Sequence, residues 1–128
     1  MDLNYKGSNL KKILIVDDSK LARDRVKTYL SELAFSEIYE AQNGQEALDI
    51  YLEHRPEIIT LDIEMPIING IEVVKELVQI SNELKIIWIS SVENKQKLLE
   101  AQGLCKSVFI KKPISKEQLL NALKIIMR

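Results

Sequence analysis

An α/β fold built on an open parallel sheet is predicted by three features of the chain. Short apolar runs with a β-branched bias alternate with helix-periodic stretches from residue 12 onward, the pattern of repeated βαβ units. Four of these runs, Ile13-Leu14-Ile15-Val16, Ile58-Ile59-Thr60-Leu61, Ile86-Ile87-Trp88-Ile89 and Val108-Phe109-Ile110, have the length of buried strands. Each leads into polar residues suited to phosphate chemistry: Asp17-Asp18, Asp62, Ser90 and Lys111-Lys112. Ligand sites in such sheets lie outside the carboxyl ends of the strands, so these four ends can converge on one crevice.

The elements follow in order. Ser19 is a good N-cap for a first helix bearing Ala22, Val26, Tyr29, Leu30 and Leu33 at helical spacing. Glu37 to Ala41 reads as a short second strand. Asn43-Gly44 has two readings, a tight hairpin or the start of a helix bearing Ala47, Leu48, Tyr51 and Leu52, and the periodicity favours the helix. Arg55-Pro56 stops it, because proline cannot continue a helix and drives its predecessor out of the α region. His54 then falls at a helix C-terminus, where a polar or cationic side chain is favourable, and no catalytic role is assigned to it. After the third strand, Glu64 to Gly70 reads as a loop, followed by a helix with Ile71, Val74, Leu77 and Val78 on one face. A short helix around residues 94–102, with Gly103 as its stop, leads to the fifth strand. Ser115 caps a last helix whose stripe of Leu119, Leu120, Leu123, Ile126 and Met127 is core.

The 128 residues are expected to form one domain, with residues 1–10 as an N-terminal arm. The apolar fraction, 46%, and the charged fraction, 29%, exclude a largely disordered chain. No apolar stretch is long enough to insert in a membrane, and Met1 to Asn9 lacks the apolar segment of a secretory signal, so the expected compartment is the cytoplasm. Cys105 is the single cysteine and can make no intramolecular disulfide. The net charge of −1 conceals an asymmetry: residues 1–93 hold ten Lys/Arg against seventeen Asp/Glu, and residues 94–128 hold eight against two. That basic quarter suits either an acidic partner or simple solvation.

Asp17, Asp18 and Asp62 come close together if their strands are neighbours. Clustered carboxylates require raised pKa values or a cation. Mg²⁺ fits most simply, since it takes one or two carboxylates and leaves positions for phosphate oxygens. Lys112 adds a compact positive charge for a phosphoryl oxygen. A carboxylate can then act as nucleophile, and phosphoryl transfer asks mainly for positioning and charge neutralisation, with no general base. The Ser90 hydroxyl can donate to the arriving phosphoryl group.

These residues together resemble the receiver domain of two-component response regulators. The likeness runs from Lys11 to Met127 and rests on Asp17-Asp18, Leu61-Asp62-Ile63-Glu64-Met65-Pro66 with Asn69-Gly70, Ser90, Lys112-Pro113 and the stretch from Ala41 to Leu48. The resemblance implies a flavodoxin-like, doubly wound (βα)5 three-layer sandwich over residues 11–128, its five parallel strands in the order 2-1-3-4-5. It also implies a phosphoryl group received from a histidine kinase or phosphotransfer protein onto Asp62. Asp18, Asp62 and the backbone carbonyl of Glu64 would ligate Mg²⁺, and Asp17 would act through water. Lys112 would pair with the acceptor or its phosphate, Ser90 would swing toward it, and Phe109 would turn inward as the aromatic switch. Glu64 and Val92, two residues after acceptor and hydroxyl, would tune the phosphorylated lifetime. Departures from the family pattern are Phe109 in place of Tyr, Ser91 in place of Ala, and the unusual approach 101–107 to the fifth strand.

Two other readings compete. A haloacid-dehalogenase-type phosphatase also uses a strand-end aspartate, but its D-x-D pattern is broken here by Glu64. A receiver-like scaffold that works without phosphate typically lacks acidic or lysine positions that this chain keeps. Direct nucleic-acid binding has no supporting motif. Output is expected through protein contact at the fourth helix, fifth strand and fifth helix, where Lys95, Lys97, Lys106, Lys111, Lys116 and Lys124 point to an acidic partner face.

Overall fold

The computed structural model describes residues 12–128, so the predicted arm, residues 1–10, lies outside the described residues. Five strands, β1 (Lys12–Val16), β2 (Glu37–Ala41), β3 (Ile58–Leu61), β4 (Ile86–Ser90) and β5 (Ser107–Lys111), form one parallel sheet in the order β2-β1-β3-β4-β5. Five helices connect and follow them: α1 (Lys20–Leu30), α2 (Gly44–His54), α3 (Gly70–Leu77), α4 (Lys95–Leu104) and α5 (Lys116–Ile126). The flavodoxin-like order expected from the resemblance is the order observed.

Strand alternation divides the core in two. Leu14, Val16, Ile59, Leu61, Ile86 and Trp88 point to the side covered by α2, α3 and α4. Ile13, Ile15, Ile58, Ile87, Ile89 and Ile110 point to the side covered by α1 and α5. Such two-sided burial explains why the central strands read as unbroken apolar runs.

Local chemistry starts the helices where the sequence places them. Ser19, Asn43 and Asn69 cap α1, α2 and α3 by accepting the backbone N–H three residues on. Asn94 does the same for α4, and Ser115 with Gln118 closes a capping box on α5. Asn43-Gly44 is therefore a helix start. Arg55 ends α2 in the left-handed region, φ 49°, immediately before Pro56. His54 stacks on Tyr39 with ring centroids 4.3 Å apart, a packing role.

Two expectations are corrected. Leu33 lies beyond the end of α1, in a turn closed by its N–H on the Leu30 carbonyl, though it still packs on the α1/α5 side of the core. Gly103 lies within α4 and does not stop it: the helix runs one residue further to half-buried Leu104, which packs against the core, and ends at the extended C-cap Cys105, two residues before β5.

Gly70 has a different task. A Cβ there would lie 2.2 Å from the carbonyl oxygen of Asp62, so the start of α3 can pass under the end of β3 only with glycine. In urea denaturation, Gly70→Ala is expected to lose roughly 3 kcal/mol, the upper part of the overpacking range. Gly103→Ala, with nothing within 4 Å of its Cβ position, is expected to gain about 0.5–1 kcal/mol from helix propensity.

Candidate functional site

Backbone hydrogen bonds set the carboxyl edge of the sheet before any side chain acts. Val16 and Leu61 are register partners, so the next residues, Asp17 and Asp62, emerge side by side. Asp17 N–H donates to the Ala41 carbonyl and Asp62 N–H to the Val16 carbonyl, both at 3.1 Å. Across the sheet Ser90 is in register with Lys111, and Lys112 N–H donates to the Ser90 carbonyl at 2.9 Å. The next peptide, Lys112–Pro113, is cis.

The predicted residues meet at this edge. Lys112 Nζ donates to Asp17 Oδ2 at 2.7 Å and to Asp62 Oδ2 at 3.1 Å. Asp62 Oδ1 accepts the backbone N–H of Glu64 at 3.1 Å, and Asp17 Oδ1 accepts that of Ser19 at 2.9 Å. Both carboxylates are buried, at 5% and 6% exposure, whereas Asp18 is exposed. Ser90 is fully buried and its Oγ accepts the Val92 N–H at 3.3 Å. Val92 is itself buried in the core beneath the site. Phe109 stands apart: it is half-buried beside Trp88 on the α4 side of the sheet.

The donor set fits a hard divalent cation. Asp17, Asp18 and Asp62 each offer one carboxylate oxygen, all within 4.8 Å of one another, and the exposed Asp18 keeps the cluster open to water. Three carboxylates against one ammonium leave excess negative charge that a cation would neutralise.

The electrostatics agree. Burial pushes the Asp62 carboxyl above the usual aspartate value, and the Ser90 hydroxyl and Lys112 ammonium beside it offset this only in part. For Lys112, burial acts to lower the pKa but is outweighed by the Asp17 hydrogen bond and by both carboxylate charges, so the net shift is upward. Cys105, far from this edge, is held at about 11 by burial and is no nucleophile.

Two contributors escape a reading by motif. Arg23 donates to the Asp17 carbonyl at 2.8 Å while pairing with Glu40, bracing the β1 end from α1. Lys97 of α4 pairs with Glu64 at 2.9 Å. The basic C-terminal quarter is also less free than its count implies. Lys97, Lys111 and Lys116 pair with Glu64, Glu93 and Glu32, and Lys106 donates to the Arg128 carbonyl. Of the six surface lysines named above, Lys95, Lys106 and Lys124 have no ion pair among the described residues, and of these Lys106 is held by the Arg128 carbonyl.

Fold and site together define a doubly wound signalling-type α/β domain whose carboxylate–lysine centre sits at the strand ends. The chain belongs to the response regulator receiver domain family, whose model matches residues 13–124. It is 36% identical over 112 residues to the chemotaxis protein CheY of Bacillus subtilis, covering 88% of this chain and 93% of that protein. Identity to CheY of Thermotoga maritima is also 36%, over 113 residues, covering 88% and 94%. Among solved structures, the complex of CheX with CheY, BeF3 and Mg²⁺ from Borrelia burgdorferi aligns with a TM-score of 0.86 at 27% identity, covering 91% of this chain and 89% of that one. Membership implies phosphorylation-dependent signalling. Among the described residues no helix is long and apolar enough to cross a membrane.

Thermal unfolding against pH, without divalent cation, checks the charge balance. A raised lysine pKa stabilises the fold below the ordinary value of 10.5, and that stabilisation is lost as pH rises through the higher folded value. The parent should exceed Lys112→Met by roughly 2–3 kcal/mol at neutral pH, less than a fully buried pair because Lys112 is partly exposed, and the gap should narrow above pH 10.5. A raised aspartate pKa has the opposite sense: it costs stability as pH rises from 3.8 through the folded value. Asp62→Asn should therefore gain on the parent across that rise and then hold its advantage.

Proposed function

We propose that this domain is a phosphorylation-activated switch in which Asp62 accepts a phosphoryl group from a histidine kinase or phosphotransfer protein. The observation that carries the proposal is the setting of Asp62: buried, held by the Glu64 N–H on one oxygen and by Lys112 on the other, within an acidic cluster suited to Mg²⁺. Asp18, Asp62 and the Glu64 carbonyl would hold the metal, with Asp17 acting through water. When bound, the metal neutralises the acidic cluster and the incoming phosphoryl oxygens.

The chain's own residues account for the remaining steps. An Asp62 oxygen forms the new P–O bond while the donor's P–N bond breaks and the histidine nitrogen keeps the electron pair. Lys112 follows the charge from carboxylate to phosphoryl oxygen, a move of one ammonium between neighbouring acceptors. Ser90 Oγ accepts from Val92 while its hydroxyl serves the Asp62 carboxylate, so the same proton can turn to a phosphoryl oxygen once the group arrives. The space this vacates is what Phe109 would fill, changing the surface of α4, β5 and α5. That surface is the proposed contact for a downstream protein, with Lys95 and Lys124 as its available cations. The CheX–CheY complex from Borrelia burgdorferi supports partner binding by likeness. Glu64 and Val92 flank acceptor and hydroxyl and are proposed to set the phosphorylated lifetime.

Intact-mass measurement after incubation with acetyl phosphate tests the acceptor. One phosphoryl group should appear on the parent in Mg²⁺, fall away with a chelator, and be absent from Asp62→Asn. Labelling that persists without Asp62 would overturn the assignment. In decay measurements Glu64→Ala and Val92→Ala should each shift the lifetime by a few-fold, on the order of 1 kcal/mol in barrier, with Mg²⁺ affinity little changed.

A further inference from the structure

One ion pair joins the acceptor loop to a helix that no catalytic residue occupies. Glu64 touches Asp62 through its backbone N–H, at 3.1 Å, and touches α4 through its side chain, whose Oε1 lies 2.9 Å from Lys97 Nζ. The Glu64 side chain is 51% exposed and its pair with Lys97 is its sole ion pair among the described residues. Among the described residues no other side chain holds that carboxylate, which belongs to a residue only two positions after Asp62. A second pair, Lys75 with Glu100 at 2.7 Å, fixes the same flank of α4 to α3. The helix otherwise buries a single residue fully, Ala101.

We infer that Lys97 is a positioning residue: it draws the Glu64 carboxylate off the acceptor and neutralises it, so that α4 controls how readily a doubly negative phosphodonor reaches Asp62. The inference rests on Asp62 being the acceptor. Without Lys97, the freed carboxylate adds a further negative charge beside an edge that already holds three. A donor dianion then meets repulsion that the metal and Lys112 offset only in part. Because Lys97 belongs to α4, a protein that binds and shifts this helix would alter the rate of loading with no contact to the acceptor.

Acetyl phosphate is the probe. In the transfer an Asp62 oxygen forms the P–O bond and acetate leaves with the electron pair of the broken one. Loading rates are compared by intact mass for the parent, Lys97→Met, Glu64→Gln and the double variant, in Mg²⁺ at low and high salt. Lys97→Met should load about two- to five-fold more slowly at low salt, the span expected of an exposed ion pair. The deficit should shrink at high salt, where exposed charges are screened. Glu64→Gln should load at least as fast as the parent, and adding Lys97→Met to it should change nothing, since Lys97 acts only through that carboxylate. A purely structural role for Lys97 would instead slow both backgrounds equally. Parent-like loading of Lys97→Met, or an equal deficit in the Glu64→Gln background, overturns this inference and leaves Asp62 standing. Label on the parent that survives Asp62→Asn removes both.

Discussion

The contact on which this molecule depends is the ammonium of Lys112 lodged between Asp17 and Asp62. It comes from the end of β5 and reaches the ends of β1 and β3, passing over β4, whose Ser90 carbonyl holds the lysine's own backbone N–H. Four strand ends are thereby tied at one point. A buried charge pair is weak evidence for net stability, since desolvation consumes much of the attraction. Its value lies in geometry: it holds two carboxylates oriented toward one point, where an apolar substitute would leave no chemistry at all. The arrangement is also incomplete by design of its charges, because one ammonium cannot balance three carboxylates.

Much of this was legible in the sequence because the signals are local. Runs such as Ile13 to Val16 are β-branched and buried on both faces, and Ser19, Asn43, Asn69, Asn94 and Ser115 are caps whose hydrogen bonds span only two or three residues. A strand end followed by Asp or Lys is equally local, so the candidate residues could be named. Their meeting could not be read from spacing, since Lys112 lies 95 residues from Asp17; the family likeness carried that step. Where local and tertiary preferences disagree, the reading failed. Gly103 looks like a stop, yet the packing of Leu104 extends the helix past it. The surface lysines looked free, yet their acidic partners lie 18, 33 and 84 residues away in sequence, beyond any periodicity.

The helices differ in how firmly they are held. α3 buries five residues and α5 four, whereas α4 buries Ala101 alone and leaves Leu99 at 68% exposure. Beneath α4 lies Trp88, fully buried, with an indole N–H that has no hydrogen-bond partner. An unpaired buried donor costs roughly 1–3 kcal/mol. That cost sits in the layer of α4 and half-buried Phe109, away from the well-paired carboxylate edge. A second placement of α4 that brought an acceptor to Trp88 would recover part of it, which narrows the energy gap between two arrangements of this layer.

This contrast gives the fold a direction for its signal. The carboxylate edge is stitched by backbone hydrogen bonds and by Lys112, so a phosphoryl group on Asp62, as proposed, would not be absorbed by loosening the strands. The softest neighbour is α4, linked to the edge by Glu64 and Lys97 on one flank and by the Ser90–Val92 contact at its approach. Phe109 lacks the hydroxyl that would anchor a tyrosine in either rotamer, so its position follows the shape of the space between β5 and α4 and no polar latch opposes it. A stiff site beside a loosely committed helix is what a small chemical event requires in order to appear as a change of surface. On the proposed role of Asp62, the charge it would gain and the packing that α4 lacks are two halves of one mechanism.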